Sequence, residues 1–118
     1  MTHVLIIEDE ILIALDLAEQ LEEHGAYSFA FASSEERAIA AATERRPDII
    51  TCDVTLAQGF GPRAIKAIHE AVGPVPTIFV TGTPDVALSE YEPCVILHKP
   101  VDPKSLVEAF RAFKTRRS

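Results

Sequence analysis

Five polar residues stand where apolar runs of the sequence end, and their types suit one shared chemical site. Glu8 and Asp9 follow the first run, Asp53 ends the second, and Thr81 and Lys99 stand at the ends of two later runs. If the four runs are parallel strands of one sheet, all five side chains meet at its carboxyl edge, where open α/β sheets place their ligands. The spacing therefore predicts one polar cluster.

Such a cluster predicts phosphoryl chemistry assisted by a divalent cation. Neighbouring carboxylates raise one another's pKa unless a cation lies among them. Mg²⁺ suits this position, because it binds carboxylate oxygens and keeps water ligands that a substrate phosphate can replace. Lys99 adds a fixed positive charge and Thr81 adds a hydroxyl donor. The carboxylate of Asp53 can attack phosphorus and form an acyl phosphate.

The elements that must position these residues alternate between strand and helix along the chain. Such alternation is typical of an α/β domain whose parallel sheet is covered by helices on both faces. The predicted strands lie at about 3–7, 27–32, 48–53, 75–81 and 94–98. The predicted helices run from about Glu10 to His24, from Ser33 to Pro47, from near Pro62, within 84–91, and from about 103 to 115.

Helical spacing gives the first two helices specific expectations. The inward face of the first helix is predicted from its apolar residues, which are Ile11, Ala14, Leu15, Ala18 and Leu21. Gly25 predicts the end of that helix. Ser33, followed by Glu36 three residues later, predicts a capping box at the start of the second helix.

Length and composition indicate an ordinary single globular domain over residues 1–118. The chain is 47% hydrophobic and 25% charged, and its net charge of −7 argues against a nucleic-acid partner. No apolar run is long enough to span a membrane, and the N-terminus lacks a signal-peptide pattern, so a cytoplasmic location is expected. Cys52 and Cys94 lie in apolar runs and are predicted to be buried free thiols.

Four motifs in order along the chain resemble the receiver domains of two-component response regulators. They are Glu8-Asp9, Asp53, Thr81-Gly82 and Lys99-Pro100. The resemblance implies a flavodoxin-like (βα)5 three-layer sandwich with strand order 2-1-3-4-5. It also implies that Asp53 accepts a phosphoryl group from a histidine kinase or a histidine phosphotransfer protein.

The same resemblance assigns roles to the other residues of the cluster. Asp9, Asp53 and the backbone carbonyl of Thr55 would bind Mg²⁺, and Glu8 would act mainly through metal-bound water. Lys99 would pair with the phosphoryl oxygens, and Thr81 would donate a hydrogen bond to one of them. The Lys99-Pro100 peptide bond would be cis.

The sequence departs from the receiver pattern at several positions. Ile96 stands where receivers commonly carry an aromatic residue that rotates on activation, and Ala57 stands where proline is common. The segment between Thr81 and Lys99 is short, so a short fourth helix is expected. The run Phe79-Val80-Thr81-Gly82 partly matches a Phe-Ala-Thr-Gly subgroup of receivers.

Three interpretations of function stay open. The first is a stand-alone receiver, a phosphoacceptor rather than an enzyme, that passes on phosphoryl groups, drains them from a kinase or binds a downstream protein partner. The second is a phosphorylation-independent interaction module, which Ile96 and the short fourth helix would favour. The third is a metal-dependent phosphatase, but such enzymes typically need a second acid where this chain has Thr55. Asp53 alone could also be an aspartate that caps a turn.

Overall fold

The computed structural model describes residues 1–82, 88 and 91–116. Its elements, in chain order, are β1 (Thr2–Ile7), α1 (Ile11–Glu23), β2 (Ala26–Ala32), α2 (Glu35–Glu44), β3 (Ile49–Asp53), β4 (Thr55–Leu56), β5 (Gly59–Phe60), α3 (Gly61–Val72), β6 (Thr77–Thr81), β7 (Cys94–His98) and α4 (Pro103–Arg116). Five parallel strands form one sheet in the order β2-β1-β3-β6-β7. Because β6 and β7 are the predicted fourth and fifth strands, this is the predicted order 2-1-3-4-5 of a flavodoxin-like fold.

Two apolar cores cover the two faces of the sheet. Successive residues of β1 alternate between them, since strand side chains point to opposite faces. Leu5 and Ile7 pack with α2 and α3 on one face, and Val4 and Ile6 pack with α1 and α4 on the other. Strands β1, β3 and β6 are buried throughout, which is why their sequences are nearly continuous apolar runs.

The predicted inward face of α1 is wrong in part. Ala14 and Leu21 are buried as predicted, but Leu17 completes the buried face. Ile11 and Leu15 are 61% and 50% exposed. The first turns of α1 are apolar on all sides, so the helical period alone could not select which residues face the sheet.

The helix boundaries differ slightly from the predictions. Helix α2 begins after Ser34, whose hydroxyl accepts a hydrogen bond from the amide of Arg37 at 3.2 Å. The cap is therefore Ser34 and not the predicted Ser33, because either serine satisfies the sequence rule for a helix start. Most of the predicted helix within 84–91 lies outside the described residues.

A short hairpin between β3 and α3 was not predicted. Strands β4 and β5 pair antiparallel, with Thr55 opposite Phe60 and Leu56 opposite Gly59. Gly61 then begins α3 directly beneath the end of β3. A Cβ atom on Gly61 would collide with the carbonyl oxygen of Asp53, so glycine allows this close approach.

Both cysteines are free, as predicted. Cys52 is fully buried in β3, and Cys94 is half-buried in β7. Burial raises the pKa of the Cys52 thiol well above its ordinary value. Among the described residues, no helix is long and apolar enough to cross a membrane.

Candidate functional site

The register of the sheet brings the predicted site residues to one edge. Ile7 pairs with Cys52, and Asp53 pairs with Val80, so the ends of β1, β3 and β6 are nearly level. Thr81 pairs with His98, which places Lys99 one residue beyond the end of β7. The structure therefore brings together the residues that the sequence assigned to one cluster.

Three carboxylates form the acidic part of the site. One oxygen from each of Glu8, Asp9 and Asp53 lies within 4.8 Å of the others. Glu8 and Asp53 are buried, and Asp9 is half-buried. Burial raises the pKa of Glu8 to about 7, and the negative charge of Asp53 adds to the effect. These groups lie close enough that a cation would relieve their repulsion.

Lys99 forms the basic part of the site. Its Nζ atom lies 3.2 Å from Oδ2 of Asp53, and its side chain is 37% exposed. Partial burial disfavours the charged lysine, but the hydrogen bond and charge of Asp53 outweigh it and raise the pKa of Lys99. The amide of Lys99 also donates to the carbonyl of Thr81 at 2.9 Å, which ties the start of the loop to β6. The Lys99-Pro100 peptide bond is cis.

Thr81 and Thr55 belong to different strands near Asp53, β6 and β4. Thr81 is buried at the end of β6, next to the exposed Gly82. Thr55 is exposed at the start of the hairpin, and its amide donates to Oδ1 of Asp53 at 3.3 Å. Both oxygens of Asp53 are therefore engaged, Oδ1 by Thr55 and Oδ2 by Lys99.

Two contacts of the hairpin were not predicted. The amide of Ala57 donates to Oδ2 of Asp9 at 2.6 Å. The amide of Phe60 donates to Oε2 of Glu35 at 2.8 Å, and Glu35 also accepts from Arg63 Nε at 2.9 Å. Glu35 is 25 residues from Phe60, and no local sequence signal links the two.

Ile96, at the position where receivers commonly carry an aromatic residue, is half-buried in β7. It packs against the apolar core on the α2 and α3 face of the sheet. Phe79 of that core instead meets Tyr91 edge to face, with ring centroids 5.8 Å apart. Position 96 therefore carries an aliphatic side chain that packs against this apolar core.

Comparison with known proteins decides the family. The family described as response regulator receiver domain matches residues 4–111, which is most of the chain. The chain belongs to the response regulator receiver family. The resemblance drawn from the four motifs is thus confirmed.

The receiver is similar to parts of PhyR proteins. It is 34% identical over 110 residues to the phyllosphere-induced regulator PhyR of Methylorubrum extorquens, covering 89% of this chain and 40% of that protein. It resembles the crystal structure of a double mutant of the anti-anti-sigma factor PhyR from Bartonella quintana, with 28% identity and a TM-score of 0.80 over 99% of this chain and 50% of that one. It also resembles the receiver domain of Erythrobacter litoralis PhyR, with 27% identity and a TM-score of 0.83 over 97% and 90%. The chain thus spans 40% of the length of its curated relative.

The donor set of this receiver fits Mg²⁺. Its three clustered carboxylates are hard oxygen ligands, and Mg²⁺ binds such oxygens in preference to nitrogen or sulfur. The pKa of Glu8 is raised mainly by burial, and the negative charge of Asp53 adds to this cost of ionising it. A cation among these groups would offset that cost.

Proposed function

We propose that this receiver is a phosphoacceptor in a Mg²⁺-dependent phosphorelay. Asp53 takes a phosphoryl group from the phosphohistidine of a histidine kinase or phosphotransfer protein. The observation that carries the proposal is the position of Asp53, a buried carboxylate between the Glu8-Asp9 pair and Lys99. Membership of the receiver family supports it, since receivers are generally phosphoacceptors rather than enzymes.

The proposed step needs few groups, because phosphoryl transfer depends mainly on positioning and charge. A carboxylate oxygen of Asp53 forms a bond to phosphorus while the bond from phosphorus to the histidine nitrogen breaks. The leaving nitrogen keeps the electron pair, and the product is an acyl phosphate. Lys99 is already beside Oδ2 of Asp53 and offsets the charge of the phosphoryl oxygens. The hydroxyl of Thr81 is the further donor for one of those oxygens.

Mg²⁺, when bound, neutralises the charge that gathers on the transferring group. Asp9, Asp53 and the backbone carbonyl of Thr55 would hold it, and Glu8 would act through water. This assignment rests on the clustering of the three acids and on the family resemblance.

A small phosphodonor tests the proposal without knowledge of the kinase. We expect the wild-type chain, incubated with acetyl phosphate and Mg²⁺, to gain the mass of one phosphoryl group. Asp53→Ala should gain none, because the attacking carboxylate is gone. Asp16→Asn, which removes an exposed carboxylate from α1, is the matched control and should be phosphorylated like wild type. Intact-protein mass spectrometry reads all three.

An unmodified wild-type chain would contradict the phosphoacceptor proposal. It would instead favour the alternative of an interaction module that works without phosphorylation. Modification of Asp53→Ala to the wild-type level would show that another side chain is the acceptor.

A further inference from the structure

The hairpin β4–β5 is held to the rest of the molecule from two sides. At its turn, the amide of Ala57 donates to Asp9, one of the three clustered acids. On its returning strand, the amide of Phe60 donates to Glu35 at the start of α2. The hairpin thus connects the acidic cluster to a carboxylate that lies outside it.

The pairing pattern shows why Glu35 can take the Phe60 amide. The amide of Gly61 donates to the carbonyl of Val54 at 2.8 Å, so the neighbouring pair, Thr55 and Phe60, is not hydrogen-bonded across the hairpin. Residues of such a pair turn their amides and carbonyls away from each other. The Phe60 amide accordingly points to Glu35, and the Thr55 amide points to Asp53.

Gly59 gives independent support for a fitted contact between Glu35 and the hairpin. Its φ of +121° lies in the region that favours glycine. A Cβ atom at this position would lie 2.6 Å from Oε2 of Glu35. The chain therefore leaves space where the Glu35 carboxylate approaches the hairpin backbone.

We propose that Glu35 is a positioning residue for the Mg²⁺ site. This inference rests on the proposed function, because it concerns the same acidic cluster. By holding Phe60, Glu35 fixes the strand opposite Thr55, whose carbonyl is a proposed metal ligand. It also keeps Ala57 in place to bind Asp9, which orients the Asp9 carboxylate toward Glu8 and Asp53. Glu35 itself touches neither the metal nor the phosphoryl group.

The hydrogen bond that Glu35 accepts from the Phe60 amide matters more for this role than the ion pair of Glu35 with Arg63. The side chain of Arg63 is 68% exposed, and exposed ion pairs contribute little because solvent screens them and both side chains lose freedom. The hydrogen bond from Arg63, together with that from the Phe60 amide, holds the pKa of Glu35 below its usual range. Arg63 thus helps to keep Glu35 charged, while the hydrogen bond that Glu35 accepts from the Phe60 amide holds the hairpin in position.

Four variants of the full chain separate these contributions. Glu35→Ala removes both contacts, whereas Glu35→Gln keeps an acceptor for the Phe60 amide. Arg63→Ala removes only the ion pair. Glu36→Ala removes the neighbouring exposed acid of the same helix turn and is the matched control. The measurements are Mg²⁺ affinity by calorimetry, amide hydrogen exchange of residues 57–60 without Mg²⁺, and the melting temperature.

We expect Glu35→Ala to weaken Mg²⁺ binding about fivefold. The variant loses one charge-assisted hydrogen bond at the surface, and the proposed metal ligands on and near the hairpin are then held less well in place. The amides of Ala57 and Phe60 should exchange faster in this variant. Glu35→Gln should recover most of the affinity, and Arg63→Ala and Glu36→Ala should bind Mg²⁺ like wild type. A lower melting temperature alone would not produce this order.

Equal Mg²⁺ affinity of Glu35→Ala and Glu36→Ala would overturn the inference, even if Glu35→Ala melts earlier. Failure of the proposed function gives a different result. In that case the wild-type chain shows no Mg²⁺ binding that depends on Asp9, and the positioning role falls with it.

Discussion

The two sides of Asp53 are built differently. On the acidic side, Asp9 accepts the amide of Ala57, and Glu35 fixes the same hairpin at Phe60. On the basic side, Lys99 reaches Asp53 through one contact of 3.2 Å from a side chain that is more than a third exposed. The groups proposed to bind the metal are therefore held more firmly than the group proposed to bind the phosphoryl oxygens.

The sheet explains this difference. The acidic residues follow β1 and β3, which are buried along their length in the middle of the sheet. Lys99 follows β7, which is half-buried and lies at the end of the strand order. A central strand is fixed by neighbours on both sides, whereas an edge strand is fixed on one side. A long, partly exposed lysine can then adjust to the larger phosphoryl group that we propose forms on Asp53.

Loss of Asp9 should break the acidic side most completely. We expect both Asp9→Ala and Asp9→Asn to abolish the Mg²⁺-dependent rise in melting temperature, because each removes a negative ligand. Asp9→Asn keeps an oxygen that can accept the Ala57 amide, so only Asp9→Ala should speed hydrogen exchange at Ala57. Thermal melts with and without Mg²⁺ and exchange mass spectrometry measure the two effects. An unchanged Mg²⁺ response would place the metal elsewhere.

Loss of Lys99 should have a smaller and different effect. We expect Lys99→Met to slow phosphorylation by acetyl phosphate about thirtyfold, because one charge-stabilising contact to the phosphoryl oxygens is lost. Its Mg²⁺ affinity should not fall, since removal of a positive charge favours a second cation nearby. Lys104→Met, at an exposed position of α4, is the control. The rate comes from intact mass against time, and a loss of Mg²⁺ affinity in Lys99→Met would show that the two sides are not separate.

The sequence was sufficient to predict the fold and the membership of the cluster. Strand ends carry local signals, and the parallel order of the strands makes those ends converge at one edge. The sequence pattern therefore predicts that Glu8, Asp9, Asp53 and Lys99 lie close together. The buried apolar runs of β1, β3 and β6 made this possible, because a strand buried on both faces reads as a short, nearly continuous apolar run.

The contact between Glu35 and the hairpin could not be predicted from the sequence, for physical reasons. Strands β4 and β5 have two residues each, which is too short for an alternating pattern to be seen. The contact between Glu35 and Phe60 joins distant segments through a backbone amide, which has no residue type to reveal it. On α1, apolar residues surround the start of the helix, so the helical period predicts Ile11 and Leu15 on the inward face although they face solvent.

The smallest predicted effect is a response to pH, which we expect on the acidic side of Asp53 and not on the basic side. The pKa of Glu8 is raised from 4.5 to about 7, so the folded metal-free chain binds more protons than the unfolded chain between these values. The contribution of Glu8 to the free energy of unfolding of the metal-free chain therefore falls as pH rises through that window. The pKa of Lys99 is raised above its already high ordinary value, so this lysine stays charged throughout.

Mg²⁺ affinity should accordingly rise less than tenfold per pH unit from about pH 6 to pH 8, as Glu8 loses its proton, and then level off. Glu8→Gln should flatten the profile, because the titrating group is gone, whereas Lys99→Met should keep its rise. Calorimetric titrations at several pH values measure both. If Glu8→Gln kept the full rise, the pH response would belong to another group. If Lys99→Met flattened it, the basic side would be coupled to the metal through its charge.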